Sequence, residues 1–168
     1  LDDLTAIIDA TIIANEPYRD LLVEVVRRAN VVLGSEEFSN GVLSHGEWKH
    51  PRGHPRSSDS SQEILNRIIT PNQFTLSVYT SSWPWSKANA KTTGHGDITS
   101  VSFNTRKISS DADENIAWMV VTVIHEFSHV QGYSHSGNKA TAFNLQTVPY
   151  AIEPYIKEAY EAYFPSGE

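Results

Sequence analysis

The chain has 168 residues, of which 39% are hydrophobic and 20% charged, so it fits one globular domain large enough to bury a core. A net charge of −7 excludes nucleic acid or an anionic membrane as the main partner, and no apolar run approaches the ~20 residues of a membrane span. The absence of cysteine rules out disulfides and any thiolate ligand, while leaving the compartment open. The sequence begins at Leu1 rather than methionine, which leaves room for a removed signal or propeptide.

From the N-terminus, Asp2 to Asn15 reads as a short helix, with Leu4, Ile7, Ile8 and Ile12 near one face. Pro17 suits a first helical position. Leu21, Leu22, Val25, Val26, Ala29, Val32 and Leu33 then form a broad stripe that stops at Gly34, giving a helix to back the sheet. Ser35 to Ser61 turns polar and rich in Gly and Pro, and is expected to be a long loop. It carries His45, His50 and His54. Their spacing across prolines, beside Lys49, Arg52 and Arg56, favours a structural role over a second metal site.

Ser60 and Glu63 form a capping-box pattern ahead of Ile64, Leu65, Ile68 and Ile69, which predicts a short helix. Phe74 to Tyr79 alternates as a strand with one face inward. Trp83 and Trp85 flank Pro84 and either line a substrate subsite or cover the core, the second being favoured. His95, between two glycines, belongs to a solvated turn before a strand from Ile98 to Asn104. Arg106 beyond it is expected to pair with an acidic group. Ser109 to Glu114 caps a helix whose buried side is Ile116, Val120, Val123, Ile124 and Phe127, extended by Trp118 and Met119. Pro154 starts a last helix through Phe164, mostly scaffold.

The central helix ends in His125-Glu126-Phe127-Ser128-His129-Val130-Gln131-Gly132-Tyr133-Ser134-His135. Histidines four apart are separated by about 400° of rotation and roughly 6 Å of rise, so their imidazoles share one face and can grip one cation. Gly132 can adopt the left-handed conformation that ends a helix, which swings His135 back toward the same ion. Three neutral nitrogens with an open position suit one catalytic Zn²⁺ better than a structural one. Glu126 is placed to hold an attacking water and take its proton. A noncatalytic metal-containing binding module has no chemical need for that base.

The spacing H-E-x-x-H-x-x-G-x-x-H resembles the metzincin clan of zinc endopeptidases at all five defining positions, and Ser136 after the third histidine is similar to its matrixin branch. The resemblance implies an α/β (α+β) fold for residues 1–168 as a single catalytic domain. It would have a small mixed sheet, a backing helix and an active-site helix. It implies metal ligands His125, His129 and His135, general base Glu126, one zinc ion and a polypeptide substrate bound along a sheet edge, for which Ile98 to Asn104 is the candidate strand. It also leans toward a secreted or extracellular setting. Hydrolysis of a non-protein target such as a peptidoglycan cross-link is the enzymatic alternative.

Metzincins place a methionine turn beneath the metal, and the single methionine, Met119, precedes the first ligand on the same helix and cannot form it. The resemblance puts Thr147 to Tyr150 in that place. Tyr150 there is either a zinc ligand, a hydrogen-bond donor to the reaction's oxyanion, or a packing residue. Glu153 or Glu158 would supply the third ligand in a gluzincin arrangement, a weaker assignment than His135. Calcium is conceivable in the polar loops, though no D-x-D-x-D-G loop occurs.

Overall fold

Four short strands build one open sheet in a computed structural model that describes residues 6–83, 88–93 and 99–166. The strands are β1 (Ile8–Ile13), β2 (Asn72–Tyr79), β3 (Ala90–Thr93) and β4 (Ser100–Asn104), in spatial order β1-β2-β4-β3. β1, β2 and β4 run parallel, and β3 runs antiparallel to β4 along one edge. Alternation sends Ile8, Phe74, Leu76, Val101 and Phe103 into the core. The opposite face carries Thr11, Thr75, Ser77 and Ser102, with Ser77 donating to Ser102 across β2 and β4 at 2.9 Å. Only one face of the sheet is therefore apolar, and the helices cover that one.

The helices are α1 (Tyr18–Leu33), α2 (Glu36–Ser44), α3 (Ser61–Ile68), α4 (Ala112–Val130), the single turn α5 (Val148–Ala151) and α6 (Glu153–Tyr163). The architecture is thus mixed α and β, with helices segregated on one side of the sheet. α4 is central: it packs against α1, α6 and β4. Its Phe127 meets Phe74 edge-on at 5.9 Å, and its Trp118 meets Phe103 at 5.7 Å. Val120, Val123, Ile124 and Phe127 are wholly buried beneath it, as is Met119. A helix so anchored holds its side chains at fixed positions over the sheet.

Two segments differ from the sequence reading. Residues 8–13, expected to be helical, form β1, because β-branched Thr11, Ile12 and Ile13 alternate out and in and the segment finds a parallel partner in β2, from Ile8 opposite Asn72 to Ile13 opposite Ser77. The apolar spacing fitted both periods, and sheet pairing decided between them. Leu4 lies outside the described residues. Within the expected loop, residues 36–44 form α2. Its N-cap Ser35 accepts from the Phe38 N–H at 3.2 Å, Glu36 and Glu37 sit in its first turn, and Phe38 and Val42, four apart, are buried. The backing helix, the capping box of Ser60 with Glu63 and the α4 cap from Asp111 to the Glu114 N–H all form as the sequence implies.

α2 approaches α6 through Gly41, where a Cβ would lie 2.6 to 3.0 Å from the Tyr155 ring and its Cβ. Gly41→Ala is expected to lower unfolding free energy in urea by about 1–3 kcal/mol through overpacking, and an unchanged midpoint would contradict that close approach.

Candidate metal centre

The last turn of α4 carries His125 and His129 on one face, their ring centroids 5.4 Å apart. Gly132 then takes φ of +105°, a conformation closed to most side chains. Its N–H donates to the His129 carbonyl at 3.0 Å, and the Tyr133 N–H donates to the Ser128 carbonyl at 3.1 Å, the paired bonds that reverse a chain after a helix. The reversal brings the His135 ring to 4.8 Å from that of His129 and 5.3 Å from that of His125. Buried Asn144 clamps the returning loop: it accepts from the Ser136 N–H at 2.9 Å and donates to the carbonyls of Ser136 and Lys139.

Each imidazole is oriented through its Nδ1. His125 faces the Glu153 carboxylate at 2.9 Å, His129 the Tyr133 carbonyl at 2.8 Å and His135 the Gly137 carbonyl at 2.6 Å. All three partners are acceptors, so each Nδ1 carries a hydrogen, and in the neutral form of each ring Nε2 is left with its lone pair. Those lone pairs converge. The ligating atoms of the three histidines lie within 4.8 Å of one another, and the Nε2 atoms of His125 and His135 are 3.3 Å apart. Two acceptor nitrogens at that distance repel unless a cation or a proton lies between them, so this donor set suits a metal ion. Among the described residues it is the one group of three histidine, aspartate or glutamate side chains with such convergence.

Burial holds the His129 imidazole down at a pKa of about 4, with His125 and His135 adding to the effect, and burial lowers His135 as well. Both are therefore in the neutral, ligating form at pH 7. Glu126 places Oε2 4.0 Å from His129 Nε2, and burial raises its pKa while His125 opposes and Glu153 reinforces the rise. Tyr150, carried by α5, sets its ring 4.7 Å from His125 and 4.8 Å from His135. Burial, with Glu153 and Glu126 nearby, keeps its hydroxyl protonated. A cleft of about 400 Å³ opens beside His125, Glu126, Tyr150 and Glu153, walled by Ala90, Val121, Thr122 and Asn138.

The five sequence candidates thus come together: His125, Glu126, His129, His135 and Tyr150. Glu153 stands behind His125 rather than beside the three Nε2 atoms, so it does not take the place of His135, and Glu158 is exposed on α6. The strand expected at a sheet edge does not lie at one. β4 is interior to the sheet, and the edge strand beside the cleft is β3, whose Ala90 lines it. The Asn104 N–H bonds the Asn89 carbonyl at 2.8 Å, so the alternation of the ladder turns the main-chain groups of Ala90 and Thr92 outward. The opposite edge is plugged: Asn30 bonds both the N–H and the carbonyl of Ile8, and Arg19 bonds the Ile12 carbonyl.

Other candidates have structural partners. His45 uses both ring nitrogens, on the Tyr155 hydroxyl at 2.6 Å and the Glu47 carbonyl at 3.1 Å. His50 and His54 stack at 5.5 Å, and His50 packs toward Tyr133, whose hydroxyl donates to Asp59. Arg106 donates to the Ser81 carbonyl at 2.7 Å, and among the described residues it forms no ion pair with the expected acidic group. Trp83 is 63% exposed and does not cover the core. Trp85, His95 and Ile98 lie outside the described residues. Asn144 was missed in the sequence because a lone amide in a polar loop carries no periodic signal. Compared with known proteins, the chain matches no family model, no curated protein and no solved structure.

The depressed pKa of His129 has a consequence for the metal-free protein. Between its ordinary value of 6.5 and about 4 the unfolded chain binds the proton that the folded chain refuses. Stability present at neutral pH should therefore be lost as pH falls through that interval, by about 3 kcal/mol at this site. Urea titrations of wild type and His129→Gln across pH 7 to 4 would check it, and equal slopes for the two would contradict it.

Proposed function

We propose that the chain is a zinc-dependent endopeptidase of the metzincin kind, with His125, His129 and His135 as ligands and Glu126 as general base. The observation that carries this reading is the convergence of three imidazoles beside the half-buried Glu126 carboxylate, next to a cleft that His125 and Glu126 share with Ala90 of β3. Three neutral imidazoles suit Zn²⁺ among the common divalent ions. Bound there, the ion supplies Lewis acidity, making water more acidic and polarising a carbonyl oxygen.

The chain's own groups supply the rest. The raised pKa of Glu126 makes its carboxylate a better proton acceptor; it takes the proton of the attacking water and returns it to the leaving amine. The substrate lies extended against β3 and pairs with the outward main-chain groups of Ala90 and Thr92, a strand addition that places one peptide bond over the histidines. Tyr150, protonated and in van der Waals range of two ligands, donates a hydrogen bond to the oxyanion that develops on the carbonyl. By the resemblance, Thr147 to Tyr150 would stand where metzincins put their methionine turn.

Glu126→Gln should keep the metal and lower peptide cleavage by about 10²–10⁴-fold, and retained turnover would remove its role as base. Tyr150→Phe keeps the ring and deletes the hydroxyl. It should lower kcat roughly 10²-fold with KM and metal content unchanged, whereas an unchanged kcat would make Tyr150 a packing residue alone.

A further inference from the structure

Three neutral imidazoles bring no charge to a dication, and His129 and His135 are each held from behind by a main-chain carbonyl. His125 differs. Its Nδ1 meets the Oε2 of Glu153 at 2.9 Å, with the histidine side chain 10% and the glutamate side chain 23% exposed. This is the one charged group among the three partners that face the Nδ1 atoms. Glu126 and Glu153 are also the two carboxylates lining the cleft. Their two negative charges balance a divalent ion in surroundings where an uncompensated charge is costly.

The placement of Glu153 follows from its helix. It is the first residue of α6, followed by Pro154, in the first turn where the helix dipole favours a negative charge. Ile152 before it and Ile156 after it are wholly buried, which fixes the backbone on both sides. Tyr150 lies three residues earlier in the nearly continuous run of α5 and α6, and both side chains reach the same cleft. One rigid segment thus presents two groups to His125: a ring against its edge and a carboxylate on its Nδ1.

We infer that Glu153 is the positioning residue of the metal centre, the carboxylate that fixes the tautomer and direction of His125 and strengthens its hold on the ion. The inference rests on the metal-centre reading above. Glu153 acts through His125 Nδ1, which keeps its hydrogen so that Nε2 stays a donor of its lone pair. Gln at this position can still accept that hydrogen bond but carries no charge, while Ala removes both, so the two variants separate orientation from charge.

The test is zinc affinity, measured by competition with a chromophoric chelator on wild type, Glu153→Gln and Glu153→Ala, beside the imidazole N–H region of the NMR spectrum. Affinity should fall about 10- to 100-fold, more in the alanine variant. The slowly exchanging Nδ1–H signal of His125 should be lost in Glu153→Ala while those of His129 and His135 stay, a selectivity that a general packing defect would not produce. If the alanine variant does not fold, the nearly isosteric glutamine variant decides by its affinity. Zinc bound by wild type and by the folded variants with equal affinity overturns the assignment alone. No zinc uptake by wild type overturns the metal centre and this assignment with it.

Discussion

The site depends on where three protons point. Because the Nδ1 atoms of His125, His129 and His135 all face acceptors, their hydrogens are committed outward and their three lone pairs are committed inward, to one small volume. Electrostatic repulsion among those lone pairs would open the cluster in a looser framework. Here the rings are held by features that each restrict one degree of freedom: the packing of α4 on the sheet, the glycine reversal at 132, the Asn144 clamp and the Glu153 carboxylate. The three imidazoles already stand where they could hold a cation, which lowers the reorganisation that binding would require.

The remainder of the fold serves that arrangement. The apolar side of the sheet supports α4, and α1, α5 and α6 pack against it from the other directions. The two sheet edges are treated differently: side chains of Asn30 and Arg19 occupy the edge of β1, whereas β3 offers outward main chain beside the histidines. Among the described residues no strand pairs with the outer edge of β3, and the proposed strand addition rests on that edge. The loop from 45 to 60, held by His45 on Tyr155 and by Asp59 on Tyr133, closes the far side of the Gly132 reversal.

Most of the site was legible in the sequence because helical periodicity and a glycine fix relative positions over a few residues. His125 to His135 is such a stretch, and so are the capping groups Asp111 and Ser60. Legibility failed where a position depends on a distant partner. Ile8, Ile12 and their neighbours fit a helix until β2 supplies a parallel strand to pair with. β4 lies inside the sheet rather than at its edge because it also pairs with the distant β2, and the short segment Ala90 to Thr93 does not announce the edge strand β3. Glu153 could be named as a glutamate near the site, but its place behind His125 comes from the packing of α6, twenty-eight residues from its partner.

The measurement that tests the account most directly is elemental metal analysis of the purified protein beside His135→Ala. The account predicts about one zinc per chain in wild type, lost or much weakened in the variant, because the third lone pair comes from His135. Zinc retained undiminished in the variant would contradict the three-histidine centre, and no metal in wild type after equilibration with zinc would contradict the metal centre altogether.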